Sequence, residues 1–255
     1  MKTMTANLSQ LREAVEAIWL RGKYKSSTLS KVDAISNTAV GIVKNNRLQL
    51  VNASDTIAAS VTVGVVAPEL EFIFIFDVEK TFKYLKNFRD ENDSISLFLS
   101  DSEMKMGSGS ATVKIPLTVE HPNMEFIMKI ATLAISSEEM PTFQNSKLEA
   151  RLAINGDELG KAIKFCNIVG TATFQFDFNG KDTLELSSSN FHQTEQVNTT
   201  ITLVAQQGEP ATVEFSAPID KFCKNEPMFL YLKDDSPILL VGTDRKLVVA
   251  PRVRN

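Results

Sequence analysis

The sequence predicts an α+β protein of two tandem, similar domains, each with two helices packed on antiparallel sheet. Three observations lead there. First, a helical pattern occurs twice. Residues 6–18, ANLSQLREAVEAI, align without a gap within residues 153–167, AINGDELGKAIKFCN, Asn7 falling on Asn155. Asn7 precedes Gln10, and Asn155 precedes Glu158, by the spacing of a capping box, in which side chains satisfy the free amides of a helix start. Leu11, Ala14, Val15 and Ile18 match Leu159, Ala162, Ile163 and Cys166, an apolar stripe at i, i+3, i+4 and i+7. Second, the segments after each helix also repeat. Arg47-Leu48-Gln49-Leu50 is answered by Thr183-Leu184-Glu185-Leu186, and Leu97 to Asp101 by Leu230 to Asp234. Val78-Glu79-Lys80 is answered by Ile219-Asp220-Lys221, and Lys83 by Lys224. Third, the intervening segments are short β-rich runs bounded by Asn, Asp, Ser and Gly, as antiparallel hairpins require. A shared order over this many elements reads as an internal duplication. The predicted domains are residues 1–135 and 148–255, joined by a polar connector over 136–147.

In chain order, Met1–Thr5 is a strand leading into helix one. Arg21–Val32 is polar and basic, and is read as a loop. Asp33–Ile42 and Arg47–Val51 form a hairpin through Lys44-Asn45-Asn46. Strands come next at Ile57–Val66 and Glu71–Phe76. Asp77–Arg89 is a second helix, capped by Asp77, with Val78, Phe82 and Leu85 on one face. Ser94–Leu99, Met104–Met106, Ala111–Val119 and the apolar Glu125–Ile135 are expected as strands. Ser136–Lys147 contains Pro141 and breaks the pattern. Leu148–Ile154 is a strand before the twin helix. Thr171–Phe178 and Thr183–Ser188 pair around Asn179-Gly180. Gln193–Val204 and Ala211–Ser216 are strands, and Pro218–Asn225 is a short helix with Pro218 in its first turn. Met228–Leu232, Pro237–Val241 and Lys246–Val249 close the chain.

With 255 residues, 43% of them hydrophobic and 23% charged, the composition is that of a soluble globular protein able to bury a core without staples. Cys166 and Cys223 fall in predicted helices and read as core residues in a reducing compartment, not as a disulfide pair. Met1–Leu20 lacks the apolar core of a signal peptide, and runs such as Phe72–Phe76 are too short to span a membrane. No catalytic constellation is evident, and no cofactor or metal site is expected. His121 and His192 lack the spacing of metal ligands with Cys or carboxylates. Gly107-Ser108-Gly109-Ser110 lacks the Lys and helix of a phosphate-binding loop. Asp234-Asp235 reads as a solvated acidic turn.

The net charge of −4 argues against wholesale electrostatic binding of nucleic acid, yet the basic residues are clustered. Lys80, Lys83 and Lys86 recur at i+3 steps on helix two, with Arg89 just beyond. Lys161 and Lys164 on helix three, and Lys221 and Lys224 on helix four, have the same spacing. On helices two and three these lysines lie opposite the apolar stripe. Helix one is weaker: Arg12 is offset by Glu13 and Glu16, with Arg21, Lys23, Lys25 and Lys31 after it. One such face is ordinary solvation. Several in a duplicated layout point to a shared basic surface making loose phosphate contacts that are sequence-independent and salt-sensitive. Aromatics do not interleave with these positions as a single-strand stacking platform needs.

On these residues the chain resembles DNA sliding clamps of the proliferating cell nuclear antigen family. Leu247-Val248-Val249-Ala250-Pro251-Arg252-Val253 resembles the family's closing apolar-Ala-Pro-basic-apolar tail. Asp234-Asp235-Ser236-Pro237 before Ile238-Leu239-Leu240 resembles its turn with Pro ahead of an apolar strand, and Leu48 to Ile57 its Met-Asp-Ser-containing segment. Asn52 stands where Asp is common, Asp55 where His or Arg is common, and the loop Arg21–Val32 is longer than usual. The resemblance implies a non-enzymatic ring, a homotrimer by the commonest pattern, that encircles double-stranded DNA without sequence preference. Helices would line the bore, so Lys80, Lys83, Lys86, Arg89, Lys161, Lys164, Lys221, Lys224 and Arg12 would face DNA. It implies a DNA polymerase and other peptide-motif clients as partners, a clamp loader, and no membrane. The client pocket, carried over by position, would use Val51, Ala58, Met140, Pro141, Pro237, Val249, Ala250 and Pro251. The implied location is cytoplasmic at the nucleoid, or nuclear in a eukaryote or its virus. Head-to-tail closure needs two unlike edges, for which Glu125–Ile135 and Glu195–Val204 are the candidates. Two alternatives stay open. One is a non-ring processivity factor or checkpoint-clamp subunit of the same fold. The other is a β-rich structural assembly protein whose lysine faces are merely solvated.

Overall fold

The computed structural model describes residues 1–19, 37–67, 71–89, 93–133, 140–143, 146–169, 173–189, 194–217 and 219–252. They divide into two compact units, Met1–Thr132 and Leu133–Asn255. The expected loop Arg21–Val32, with its four basic residues, and His192 lie outside the described residues, as does the start of the expected connector, Ser136–Glu139.

In the first unit, β1 (Lys2–Asn7) runs into α1 (Leu8–Ala17), then come β2 (Thr38–Lys44), β3 (Arg47–Ala53), β4 (Ile57–Val66), β5 (Phe72–Asp77), α2 (Val78–Leu85), β6 (Ser94–Leu99), β7 (Glu103–Ser108), β8 (Ala111–Pro116) and α3 (Met124–Thr132). The strands pair antiparallel in the order β5-β2-β3-β4-β1-β6-β7-β8. Asn45 and Asn46 join β2 to β3 with φ of 51° and 58°. Both lie in the left-handed region that a tight hairpin turn demands and that Asn tolerates. β4 serves two partners: it pairs with β3 from Ala58 to Gly64, and its end, Val65 and Val66, pairs with β1.

The predicted caps form. The Asn7 side chain accepts from the amide of Gln10 at 2.8 Å, and that of Asp77 from Lys80 at 2.8 Å. Leu11, Ala14 and Val15 of α1, and Val78, Phe82 and Leu85 of α2, are all buried. The two helices pack on each other, with Trp19 against Phe82 at 5.3 Å between ring centroids. Asn52, fully buried, donates from its side-chain amide to the carbonyl of Ile18 at 2.8 Å, tying the end of α1 to β3.

Glu125–Ile135, expected as a strand, is instead helical from Met124 to Thr132. Its burial follows the helical period: Ile127 and Ile130 are buried while Glu125, Lys129 and Thr132 are exposed. Lys129 pairs with Glu125 at 2.8 Å across one turn, the favoured order of charges. Packing on β3 and β4 fixes the choice, and the Gln49 amide donates to the carbonyl of Ala131 at 2.9 Å.

In the second unit a short hairpin, β9 (Thr142–Phe143) and β10 (Ser146–Lys147), precedes β11 (Ala150–Asn155), α4 (Gly156–Cys166), a 3-10 turn at Asn167–Val169, β12 (Thr173–Phe178), β13 (Thr183–Ser189), β14 (Gln196–Thr202), β15 (Ala205–Gly208), β16 (Ala211–Ser216), β17 (Pro227–Leu232), β18 (Ile238–Val241) and β19 (Arg245–Val249). The strands order as β15-β11-β17-β18-β19 and as β14-β13-β12-β16. β14 and β15 together do what β4 does alone: one pairs with β13, the other with β11. The duplication is thus topological, down to a strand that passes from one helix-flanking partner to another. Asn155 caps α4, accepting from Asp157 at 2.9 Å and Glu158 at 3.4 Å.

The expected helix Pro218–Asn225 is a turn over its described residues, 219–225. Buried Ile219 and Phe222 anchor it, and the buried Arg245 guanidinium donates to the carbonyl of Phe222 at 2.9 Å. A carbonyl taken this way from outside substitutes for helical hydrogen bonding. Gly156 and Gly160 let this turn lie close on α4: a Cβ at Gly156 would stand 2.2 Å from the carbonyl oxygen of Lys224, and one at Gly160 would stand 3.1 Å from Cys223 Cβ. Cys223 therefore sits in a turn, not a helix, and both cysteines are free.

Candidate nucleic-acid interface

On α2 and α4, burial of one face leaves the other to the lysines. On α2 the buried positions Val78, Thr81, Phe82 and Leu85 leave Lys80, Lys83 and Tyr84 exposed, with Lys86 in the next turn. Arg89 is exposed beyond them. Lys80 is held by the capping Asp77 at 3.4 Å, and Lys86 lies over the Phe82 ring at 4.3 Å. On α4, Lys161 and Lys164 are exposed opposite Leu159, Ile163 and Cys166. Lys161 pairs with Asp157 at 2.6 Å, and this carboxylate, chiefly through its hydrogen bond, raises the Lys161 pKa. Exposed pairs of this kind are weak and screened, so a stronger anion can displace them.

Three of the expected DNA-facing residues differ from this pattern. Arg12 is half-buried, and its guanidinium donates to the carbonyls of Leu85 and Phe88, each at 3.2 Å, closing the C-terminal end of α2. Lys221 is exposed but stands on the turn at residues 219–225 rather than on a helix. Lys224 is half-buried there and lies 4.0 Å from Asp244.

Of the residues assigned to a client pocket, Val51, Ala58 and Val249 are buried within the core of their own unit and offer no surface. Met140, Pro141, Pro237, Ala250 and Pro251 are partly exposed in the second unit. Pro251 bridges to Phe215 of β16, and Arg252 continues the contact by donating its amide to the carbonyl of Glu214 at 2.7 Å. Pro251 and Arg252 line a cleft of about 530 Å³ with Thr212, Val213, Glu214, Asp234 and Asp235. Pro251 is the one residue of the expected pocket found there.

The sequence reading missed two residues. Tyr84 and Phe165 are 39% and 50% exposed, each directly beside a lysine of these faces. Aromatics do interleave with the basic positions. The signal was a repeated Lys-x-x-Lys-aromatic spacing, at 80–84 and at 161–165.

Among the described residues no group of His, Cys, Asp and Glu could hold a metal ion, and no helix is long and apolar enough to cross a membrane. His121 is buried, with Nε2 3.0 Å from the carbonyl of Thr38 and Nδ1 accepting from the amide of Asn123 at 3.1 Å. Only a neutral ring protonated at Nε2 satisfies both contacts, and burial lowers its pKa. Burial pushes the Cys166 thiol up to about 11 and the Cys223 thiol up to about 12, leaving neither a nucleophile near neutral pH.

Two repeats of a helix-flanked antiparallel sheet make up the sliding-clamp fold. Solved structures of that class share it along the whole chain. A. fulgidus PCNA bound to the C-terminal region of FEN-1 superposes with a TM-score of 0.71 at 18% identity, covering 100% of both chains. Thermococcus kodakaraensis PCNA gives 0.67 at 15% identity, covering 99% of this chain and 100% of that one. The Bacillus subtilis DNA polymerase sliding clamp gives 0.75 at 10% identity, but the chain spans only 64% of its length. No family model matches the sequence, and no curated protein sequence matches it. At these identities the likeness is one of fold.

Proposed function

We propose that this protein is a sliding clamp, a processivity factor that holds double-stranded DNA without reading sequence and tethers a polymerase to it. The observation that carries the proposal is the pair of exposed lysine faces, Lys80-Lys83-Lys86 after α2 begins and Lys161-Lys164 on α4, on a fold shared end to end with sliding clamps. Lysine is a hydrated point charge on a flexible stem, suited to phosphates at any register. Retention on DNA would come from encirclement rather than affinity.

A homotrimeric ring is part of this reading, opened by a clamp loader. Its edges are β8 and β14, each hydrogen-bonded to one neighbour only among the described residues, β7 and β13. β14 carries no charge and no proline along Gln196–Thr202. An edge strand without such protection is built to pair with another chain. The helical Met124–Thr132 removes the edge first expected there. A. fulgidus PCNA is bound by the C-terminal region of FEN-1; clients of this protein would likewise bind through a chain segment, with Pro251 and its cleft as the point of contact. No site for catalysis, cofactor or metal belongs to this reading.

Two measurements test it. Light scattering over a range of concentrations should give a species of about 85 kDa, three times the 28.2 kDa chain. On primed circular DNA the protein should raise polymerase processivity, and the Lys80, Lys83, Lys161 and Lys164 to Ala variant should not. Equal stimulation by that variant would sink the proposal.

A further inference from the structure

The two exposed aromatics give the lysine faces a second chemistry. On α2 the sequence Lys80-Thr81-Phe82-Lys83-Tyr84 turns Thr81 and Phe82 inward and leaves two lysines and a ring outward. On α4, Lys161-Ala162-Ile163-Lys164-Phe165 does the same with Ala162 and Ile163. Side chains at i, i+3 and i+4 share one helix face, so each ring stands beside both lysines of its set. The α4 face continues to Ile168, 71% exposed one turn further on.

A single exposed ring would mean nothing. Here the same triad occurs on two helices that do not correspond in the duplication. The counterpart of α4 is α1, where Glu13, Glu16 and buried Ala17 stand at the positions of Lys161, Lys164 and Phe165. The triad of the first unit is on its second helix, α2. Copying of the ancestral unit therefore does not account for it, and burial does not fully either, since Tyr84 keeps 39% and Phe165 50% of its surface in solvent.

Duplex DNA explains the lysines but not the rings, because paired bases present only their edges and backbone to a helix lying along the surface. A polyanion with free flat apolar faces explains both. Resting on the clamp reading, we infer that each Lys-Lys-aromatic triad binds an unpaired stretch of nucleic acid, phosphates on the lysines and a base stacked on Tyr84 or Phe165. The protein would then hold the single strand at a primer end in addition to duplex. Base–aromatic stacking is tolerant of sequence and adds to the salt-sensitive phosphate term.

The test uses the full-length protein and fluorescence anisotropy with labelled oligothymidylate, and with a duplex of equal length. Tyr84→Ala with Phe165→Ala should weaken oligothymidylate binding about tenfold or more, and duplex binding by less than about twofold. Trp at both positions should restore it. Lys83→Ala with Lys164→Ala should weaken both ligands. All substituted side chains are exposed, and a circular dichroism melt matching that of the unaltered protein establishes the fold. Equal loss on both ligands, or no loss on either, overturns the inference while leaving the clamp intact if polymerase is still stimulated. An unaltered protein that neither binds duplex nor stimulates polymerase overturns the clamp reading itself, and the inference with it. Binding to phosphatidylserine vesicles through the same rings, without binding to oligothymidylate, overturns the inference in favour of a lipid surface.

Discussion

Replacing Arg12 with Ala separates a DNA contact from a structural clamp. The guanidinium donates two hydrogen bonds of 3.2 Å to the carbonyls of Leu85 and Phe88, at the negative end of α2. A shielded hydrogen bond to a charged group contributes about 1.5–3 kcal/mol. Arg12 is half-exposed, so water replaces part of each bond, and the pair together should be worth about 2 kcal/mol. With a urea slope of about 2 kcal/mol per molar, the midpoint of the first unit should fall by about 1 M. The sole tryptophan, Trp19, packs on Phe82 of α2, so its fluorescence reports this contact directly. Arg12→Lys should recover at most half of the loss, since one ammonium cannot span two carbonyls as the planar fork does. Duplex affinity measured well below the transition should be nearly unchanged. An unaltered midpoint, together with a fall in duplex affinity as large as that of Lys83→Ala, would refute this reasoning and return Arg12 to the DNA-facing set.

Other consequences are equally specific. Asn52→Asp keeps the shape but turns the buried donor into an acceptor facing the Ile18 carbonyl; it should cost about 2–3 kcal/mol, read from the same Trp19 midpoint. His121 has a folded pKa below its ordinary 6.5, so the unfolded chain binds the proton more readily. Its contribution is complete above pH 6.5 and declines as pH falls from there towards the folded pKa; urea midpoints across that window should fall, and should flatten in His121→Gln. Gly156→Ala drives a methyl to 2.2 Å from the Lys224 carbonyl oxygen; thermal unfolding should show the second unit destabilised by about 1–3 kcal/mol.

Much of the architecture was legible because it is written in local periodicity. β4, β6 and β16 begin and end where their apolar alternation and turn residues say, and Asn7, Asp77 and Asn155 cap the helices they precede. The failures have a common physical cause, namely that partners distant in sequence decided them. Glu125–Ile135 is so evenly apolar that period two and period 3.6 fit alike, and only packing on β3 and β4 selects the helix. Residues 219–225 carry helical spacing, but Arg245 takes the Phe222 carbonyl from outside. β15 has no alternation and is all exposed; it exists because β11 offers it an edge. Asn52 stood out as a departure from a common Asp, and its reason, an amide donated to the end of α1, required the fold. At the site, the lysine spacing was legible, whereas the role of Arg12 and the exposure of Tyr84 and Phe165 depended on which helix faces met.

The same contrast accounts for a shared fold at 10–18% identity. Burial fixes a pattern, not residues: any apolar side chain of about the right size serves at Leu11 or Leu159. Binding a polyanion without register fixes still less, because a point charge acts through distance and tolerates displacement along a helix face. The two units illustrate this freedom within one chain. At corresponding positions α1 carries Glu13 and Glu16 and α4 carries Lys161 and Lys164, while the first unit puts its lysines on α2 instead. Under the proposed function, the constraint falls on the sign of the charge on an exposed helix face, not on which helix of the repeat supplies it. Sequence comparison, which scores residues position by position, loses that signal. Under the inferred single-strand contact, the aromatic set beside the lysines is the exception: a stacked base demands a ring at one place. Tyr84 and Phe165 are therefore the positions of these faces where substitution should be least tolerated.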